Sequence, residues 1–194
     1  DEVKSSNFGN FQKLEITFKQ FPDTFRKIKE RFIDIFPFVE DIRFETFPHG
    51  EVNNLFINDN DIFQIKERGV CDWINSWEIS QGMIRSLLHI CDLTLQPKGT
   101  VILIDEYENS LGVNCMDAIA EDLTIENKDI QFIITSHHPY IINQISSDHW
   151  KLIQRKGSHV SSTDVTDLGF EKSSHENFIQ LVNSKTFQNG ISLQ

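Results

Sequence analysis

The chain has 194 residues, 39% of them hydrophobic, enough to bury one sizeable core or to supply a large piece of one domain. Its formal net charge of −11 works against nucleic acid as a general partner, so a DNA contact would need a local basic strip or a second protein. No apolar run reaches membrane-spanning length, no signal-peptide pattern opens the sequence, and the three cysteines stand far apart without a Cys-x-x-Cys pair. These features predict a cytoplasmic protein with reduced thiols used for packing, with no membrane partner and no zinc. The sequence starts at Asp1 without a methionine, and its N-terminus is expected to be a cut or an unobserved boundary.

From Phe8 to Ile35 apolar residues recur at three- and four-residue spacing, and Pro22 is placed like the first turn of a second helix. Most of the 16 phenylalanines fall before residue 65, as in "FKQFPDTFRKIKERFIDIFPF", and are expected to pack between helices and in the core. A helical segment over 8–36 is therefore followed, from 38 to 67, by short alternating runs such as "VEDIRFETF", "NNLFIN" and "DIFQIKE", which predict an antiparallel meander. A helix opened by Ser80 is expected over 80–95, then an apolar strand over 101–104 preceded by Gly99. A helix near 113–123, a second apolar strand over 130–135 and a short helix after Pro139 complete an α/β core over 79–155. The strand "HWKLIQR" and the run "SHVSSTDV" lead into a polar C-terminal segment, 156–194, with one weak helix at 175–183. Two continuous apolar strands joined through a helix predict a parallel α/β sheet, with ligands outside the strands' carboxyl ends.

Chemistry collects at those ends. The run "VILIDEYENS" leads from a core-grade strand straight into Asp105 and Glu106, with Glu108 close behind. Adjacent carboxylates repel, so a cation or a proton-donating group is expected there. "IITSHH" ends the second strand in Thr135, Ser136, His137 and His138. An acidic pair beside a histidine suits magnesium–nucleotide chemistry: the aspartate holds the metal, the glutamate accepts a proton from water, and the histidine hydrogen-bonds the terminal phosphate. Upstream, Ser80 is a good N-cap, and Gly82 leaves open amides in the first turn of its helix that can receive an anion.

Taken in order, these segments resemble a known family. "ISQGMIR" is similar to the signature motif of ABC-type ATPases, "VILIDEYENSLG" to their Walker B and D-loop, and "FIITSHHPYII" to their switch-histidine segment. The nearest branch is the RecF/SMC-like one, including OLD-type and antiphage-defence AAA-like ATPases, and "FRKIKERFIDIFPFVEDIRFE" is similar to what precedes the signature there. The resemblance covers about residues 10–155 and implies that 1–194 is the C-terminal part of one ATPase domain. The implied fold is α/β, a parallel core sheet flanked by helices, with an N-terminal helical segment and small antiparallel strands. It implies ATP and Mg²⁺ as ligands, Asp105 on the metal, Glu106 as general base and His137 as the switch residue, with His138 in place of the usual Ser. Ser80 and Gly82 would reach the γ-phosphate of a nucleotide held by a second copy, and Glu108, Asn109 and Ser110 would form the D-loop across that homodimer interface.

The departures are informative. No G-x-x-x-x-G-K-[ST] occurs, Tyr107 stands where Pro is common, and Gln81 stands where many signatures have Gly. The resemblance therefore implies a Walker A-bearing N-terminal portion as the first partner, with no tight ATP binding or hydrolysis by this segment alone. An effector nuclease or toxin, phage defence and DNA metabolism enter by family analogy only. Two other functions fit part of the pattern: a Mg-dependent nuclease centred on Asp105, Glu106 and Glu108, and a non-catalytic dimerisation module.

Overall fold

A computed structural model describes residues 2–46, 57–58, 61–124, 130–168, 174–184 and 187. The predicted run "NNLF" and the last residues of the polar C-terminal segment lie outside these. Seven α-helices and eight strands follow in chain order among the described residues: α1 (Glu2–Ser5), α2 (Asn10–Gln20), α3 (Pro22–Ile35), β1 (Val39–Thr46), β2 (Ile57–Asn58), β3 (Asp61–Glu67), β4 (Ile74–Asn75), α4 (Gln81–Leu95), β5 (Thr100–Ile104), α5 (Val113–Thr124), β6 (Ile130–Ile134), α6 (Pro139–Gln144), β7 (Lys151–Lys156), β8 (His159–Asp164) and α7 (Ser174–Asn183). The chain divides into two compact units. The first holds Asp1–Ile104, Asn109–Ile119 and Asn127–Ile133, and the second holds Asp105–Glu108, Ala120–Glu126 and Ile134–Gln194.

In the first unit Pro22 starts α3, where its missing N–H costs nothing. The periodic face of α3 buries Phe25, Ile28, Phe32 and Ile35, and α4 contributes Met83, Ile84, Leu87, Ile90, Cys91 and Leu95 to the same core. The early phenylalanines fill the space between helices and strands: Phe18 meets Phe25 edge-on at 4.9 Å, and Phe44 meets Phe63 at 5.5 Å. Phe44 and Phe63 also face each other across the β1–β3 ladder. Cys91 and Cys115 are buried as packing groups, whereas Cys71 is exposed, against expectation, in the loop before β4.

The small sheet is antiparallel but is not the expected meander. Its order is β1-β3-β2, with β4 also paired to β3. The physical reason lies in β3, whose first five residues, Asp61–Ile65, are all buried, so it sits centrally and takes partners on both edges. Asp61 is tolerated there because Lys19 and the Thr46 hydroxyl engage its carboxylate. Burial works to raise that carboxyl's pKa, but Lys19 and Thr46 outweigh it and hold the group below its ordinary range.

Strands β5 and β6 pair in a parallel two-stranded sheet flanked by helices, the α/β arrangement expected from their apolar runs. Exposure alternates along each strand, and Val101, Leu103 and Ile133 face outward, Leu103 at 74%. One face is packed within the unit, and among the described residues Val101, Leu103 and Ile133 leave the other exposed.

Helix α4 begins as predicted. The Ser80 hydroxyl accepts from the Met83 N–H at 3.3 Å. Gly82 has a separate reason to be glycine: a Cβ there would lie 2.7 Å from the Ser110 carbonyl oxygen. The helix start and the 109–112 loop approach backbone to backbone.

The second unit is built on α6, α7 and the β7–β8 hairpin. Ile141, Val165 and Leu181 are buried in it, and buried Asn177 donates to the Ser147 hydroxyl at 3.0 Å. The Trp150 indole donates to the Ile145 carbonyl at 3.1 Å, tying the start of the hairpin to the end of α6.

Two stability predictions follow from the first unit. Burial, with a smaller push from Arg31 and Arg85, lowers the His89 pKa to about 4. The folded ring stays neutral while the unfolded ring protonates below about pH 6.5, so stability is full above that pH and declines toward pH 4. Urea unfolding should show a loss of about 2 kcal/mol between pH 7 and pH 5 that His89→Gln removes. Gly82→Ala forces the Ser110 carbonyl to move and should cost about 1–3 kcal/mol, read as a lower Tm.

Candidate functional site

The second unit gathers Asp105–Glu108 with the segment that leaves β6. Thr135 is the hub. Its hydroxyl accepts from the Glu106 N–H at 2.8 Å and donates to Asp105 Oδ1 at 2.5 Å. Its carbonyl accepts from the Tyr107 N–H at 2.9 Å. Three consecutive residues after β5 are therefore tied to one residue after β6.

That tie holds an unusual backbone. Glu106 has φ of +47°, a left-handed conformation that a side-chain-bearing residue adopts at a cost of about 1–2 kcal/mol. The turn is fixed on one side by Thr135 and on the other by Tyr107, whose side chain is 2% exposed. Tyr107 anchors the turn where the sequence pattern has Pro. Asp105 and Glu106 themselves are exposed, so the acidic pair is presented to solvent on a rigid bend. Ser110, in the first unit, also has a left-handed φ of +65°.

Glu108 behaves differently. Its side chain is only 9% exposed, and its Oε1 lies 2.9 Å from both the main-chain N and the ring Nδ1 of His137. Burial works to raise its pKa, but the nearby Ser136 hydroxyl, the His137 N–H and the His137 ring prevail and hold it below the usual carboxylate range. Its other oxygen, Oε2, is buried with no aligned donor among the described residues. The His137 ring is 81% exposed beyond this attachment. His138 turns the other way and caps α6, its Nδ1 accepting from the Tyr140 N–H at 3.3 Å.

The residues singled out in sequence thus fall into two sets. Asp105, Glu106, Glu108 and His137 lie in the second unit, and Ser80, Gly82, Asn109 and Ser110 lie in the first. Thr135 and Tyr107 carry the local geometry, yet the sequence marked Thr135 only as a neighbour of the histidine and Tyr107 only as a departure from the usual Pro. Among the described residues no group of three His, Cys, Asp or Glu side chains is arranged to hold a metal ion. The donors that are present, one exposed carboxylate held by a hydroxyl, fit Mg²⁺, which binds through one or two carboxylates and completes its shell with water and phosphate oxygens.

Comparison with curated proteins by sequence finds no match. Among solved structures, the chain is similar to an SMC ATPase studied for ATP-driven dimerisation and DNA-stimulated activation, with a TM-score of 0.58 and 14% identity over 87% of this chain and 94% of that one. It is also similar to an Smc head bound to the C-winged helix domain of ScpA, with a TM-score of 0.54 and 15% identity, covering 86% of this chain and 53% of that one. A third is an Smc head with an extended coiled coil bound to the C-terminal domain of ScpA, from Pyrococcus furiosus, with a TM-score of 0.52 and 17% identity, covering 81% of this chain and 39% of that one. At such identities the likeness shows the fold, that of SMC-type ATPase heads. A family model matches residues 5–143, which include the Ser-x-Gly helix start, the acidic pair and the segment that leaves β6, and on that match the chain belongs to the family described as "AAA domain, putative AbiEii toxin, Type IV TA system".

Proposed function

We propose that this chain is the C-terminal part of an ATP-hydrolysing head that works as a dimer around nucleotide. The observation that carries the reading is the Thr135 latch, which sets Asp105 and Glu106 on one rigid bend in the same unit as His137. Such a bend is what phosphoryl transfer to water requires, because catalysis there is mostly positioning and electrostatics.

In this reading Asp105 holds Mg²⁺, aided by the Thr135 hydroxyl, and the metal supplies charge neutralisation for the phosphates. Glu106 is exposed and takes a proton from the attacking water. His137 presents its ring to the terminal phosphate. Ser80 and Gly82 contribute the N-terminal amides of α4 to a nucleotide gripped by a second copy, with Asn109 and Ser110 at that interface. The Glu108 carboxylate, assigned to the same loop in sequence, is turned toward its own chain's His137.

The chain lacks a G-x-x-x-x-G-K-[ST] phosphate loop, so another segment must grip the nucleotide. The uncovered face of β5 and β6, with Val101, Leu103 and Ile133, supports a Walker A-bearing portion of the same protein as its cover, since that much apolar surface on one sheet face is costly in water. The gated effector, a nuclease or toxin, and any role in phage defence or DNA metabolism rest on family analogy. A nuclease using Asp105, Glu106 and Glu108 together is disfavoured, because Glu108 is committed to His137.

Two measurements test the reading on the complete protein. Mg²⁺-dependent ATP hydrolysis should fall by about 10²–10⁴-fold in Glu106→Gln with nucleotide binding retained, and unchanged turnover would reject the general-base role. Thr135→Val removes the acceptor for the Glu106 N–H and the donor to Asp105. It should cost about 10–100-fold in activity and raise the Mg²⁺ concentration needed for half-maximal rate, whereas an unaltered Mg²⁺ titration would mean that the latch does not serve the metal.

A further inference from the structure

We propose that Glu108 is the positioning residue for His137, fixing both the course of its backbone and the tautomer of its ring. The proposal rests on the nucleotide reading only for what the histidine acts upon.

The geometry is specific. One oxygen, Oε1, receives the main-chain N–H of His137 and meets ring Nδ1, each at 2.9 Å. A carboxylate has no proton to give, so at this ion-pair distance the proposal places the hydrogen on Nδ1. Nε2 is then the atom left facing outward on a ring that is 81% exposed. A solvent-exposed neutral imidazole with no partner at Nδ1 would ordinarily sample several rotamers and favour the Nε2–H tautomer. Here the backbone contact sets where the side chain starts and the ring contact sets where it points. The 9% exposure of the Glu108 side chain and its bond from the His137 main-chain N–H make the anchor firm.

This assigns different work to the two glutamates of "DEYENS". Glu106 is exposed on the left-handed bend and faces solvent chemistry, whereas Glu108, two residues on, is tucked in and serves the histidine. Tyr107 stands between them, buried at 2% exposure. The arrangement parallels the general logic of a carboxylate orienting a working histidine through Nδ1, with Nε2 left for the reaction.

The test is spectroscopic and does not depend on activity. In the complete protein labelled with ¹⁵N-histidine, long-range ¹H–¹⁵N correlation at about pH 8.5, above the ordinary histidine range, reads which ring nitrogen carries the proton. The His137 signal is assigned by its loss in His137→Asn. The wild-type protein should show the Nδ1–H tautomer, and Glu108→Ala should shift it to the Nε2–H form. A wild-type Nε2–H ring overturns the proposal without any variant, and so does an Nδ1–H ring that persists in Glu108→Ala. The kinetic counterpart is a fall of roughly tenfold or more in kcat for ATP in Glu108→Ala, with KM little changed. If the complete protein hydrolyses no ATP while the tautomer behaves as expected, the nucleotide reading fails and the positioning role stands. If hydrolysis depends on Glu106 while the tautomer ignores Glu108, the reverse holds.

Discussion

One hydroxyl organises the acidic turn. Thr135 accepts from the Glu106 N–H and donates to Asp105, while its carbonyl receives the Tyr107 N–H. These bonds hold Glu106 in a left-handed backbone that it would leave if released. Two carboxylates in sequence would otherwise spread apart in a solvated loop. The threonine makes the bend a fixed feature of the fold, and the buried Tyr107 keeps it from unwinding. Everything proposed for the site depends on that fixity, because a water, a metal and a phosphate are aligned only by groups that do not wander.

A second constraint comes from the strands that lead into the turn. β5 and β6 are apolar at almost every position, a composition suited to a sheet covered on both faces. Leu103, Val101 and Ile133 nonetheless face outward in this chain. On the proposed reading the mismatch and the lack of a phosphate loop have one cause: the nucleotide grip and the missing cover belong to the same further segment. The structural relatives fit this picture unevenly, since the chain spans 94% of one SMC ATPase chain but 53% and 39% of two Smc heads. The activity of an assembled head therefore remains a proposal built on the local geometry and the family.

Much of the fold was legible because strong local signals agreed with the tertiary structure. Pro22 at a helix start, Ser80 as an N-cap and two apolar strands bracketing a helix all read directly. The order of the small sheet did not, because alternation identifies strands but not which one lies between the others. Only the burial of Asp61–Ile65 explains why β3 is central. In the site, the residue types announced the chemistry, but the distribution of roles was hidden. Glu108 was given an interface role only by the family resemblance of its segment to a D-loop, and its turn toward His137 depends on tertiary placement. Gly82 read as an opening for an anion, and the 2.7 Å approach of the Ser110 carbonyl gives it a packing reason that no local pattern encodes. Thr135 was visible as part of "TSHH", yet nothing in the sequence says that its hydroxyl reaches back 30 residues to Asp105.

The account turns on whether the Thr135-latched bend faces a nucleotide. A crystal structure of the complete protein with Mg²⁺ and a non-hydrolysable ATP analogue tests this most directly. The account predicts Asp105 on the metal or on one of its waters, Glu106 beside the water in line with the terminal phosphate, and His137 Nε2 within hydrogen-bonding reach of that phosphate. A nucleotide bound elsewhere, with the acidic bend and His137 open to bulk solvent, would contradict it.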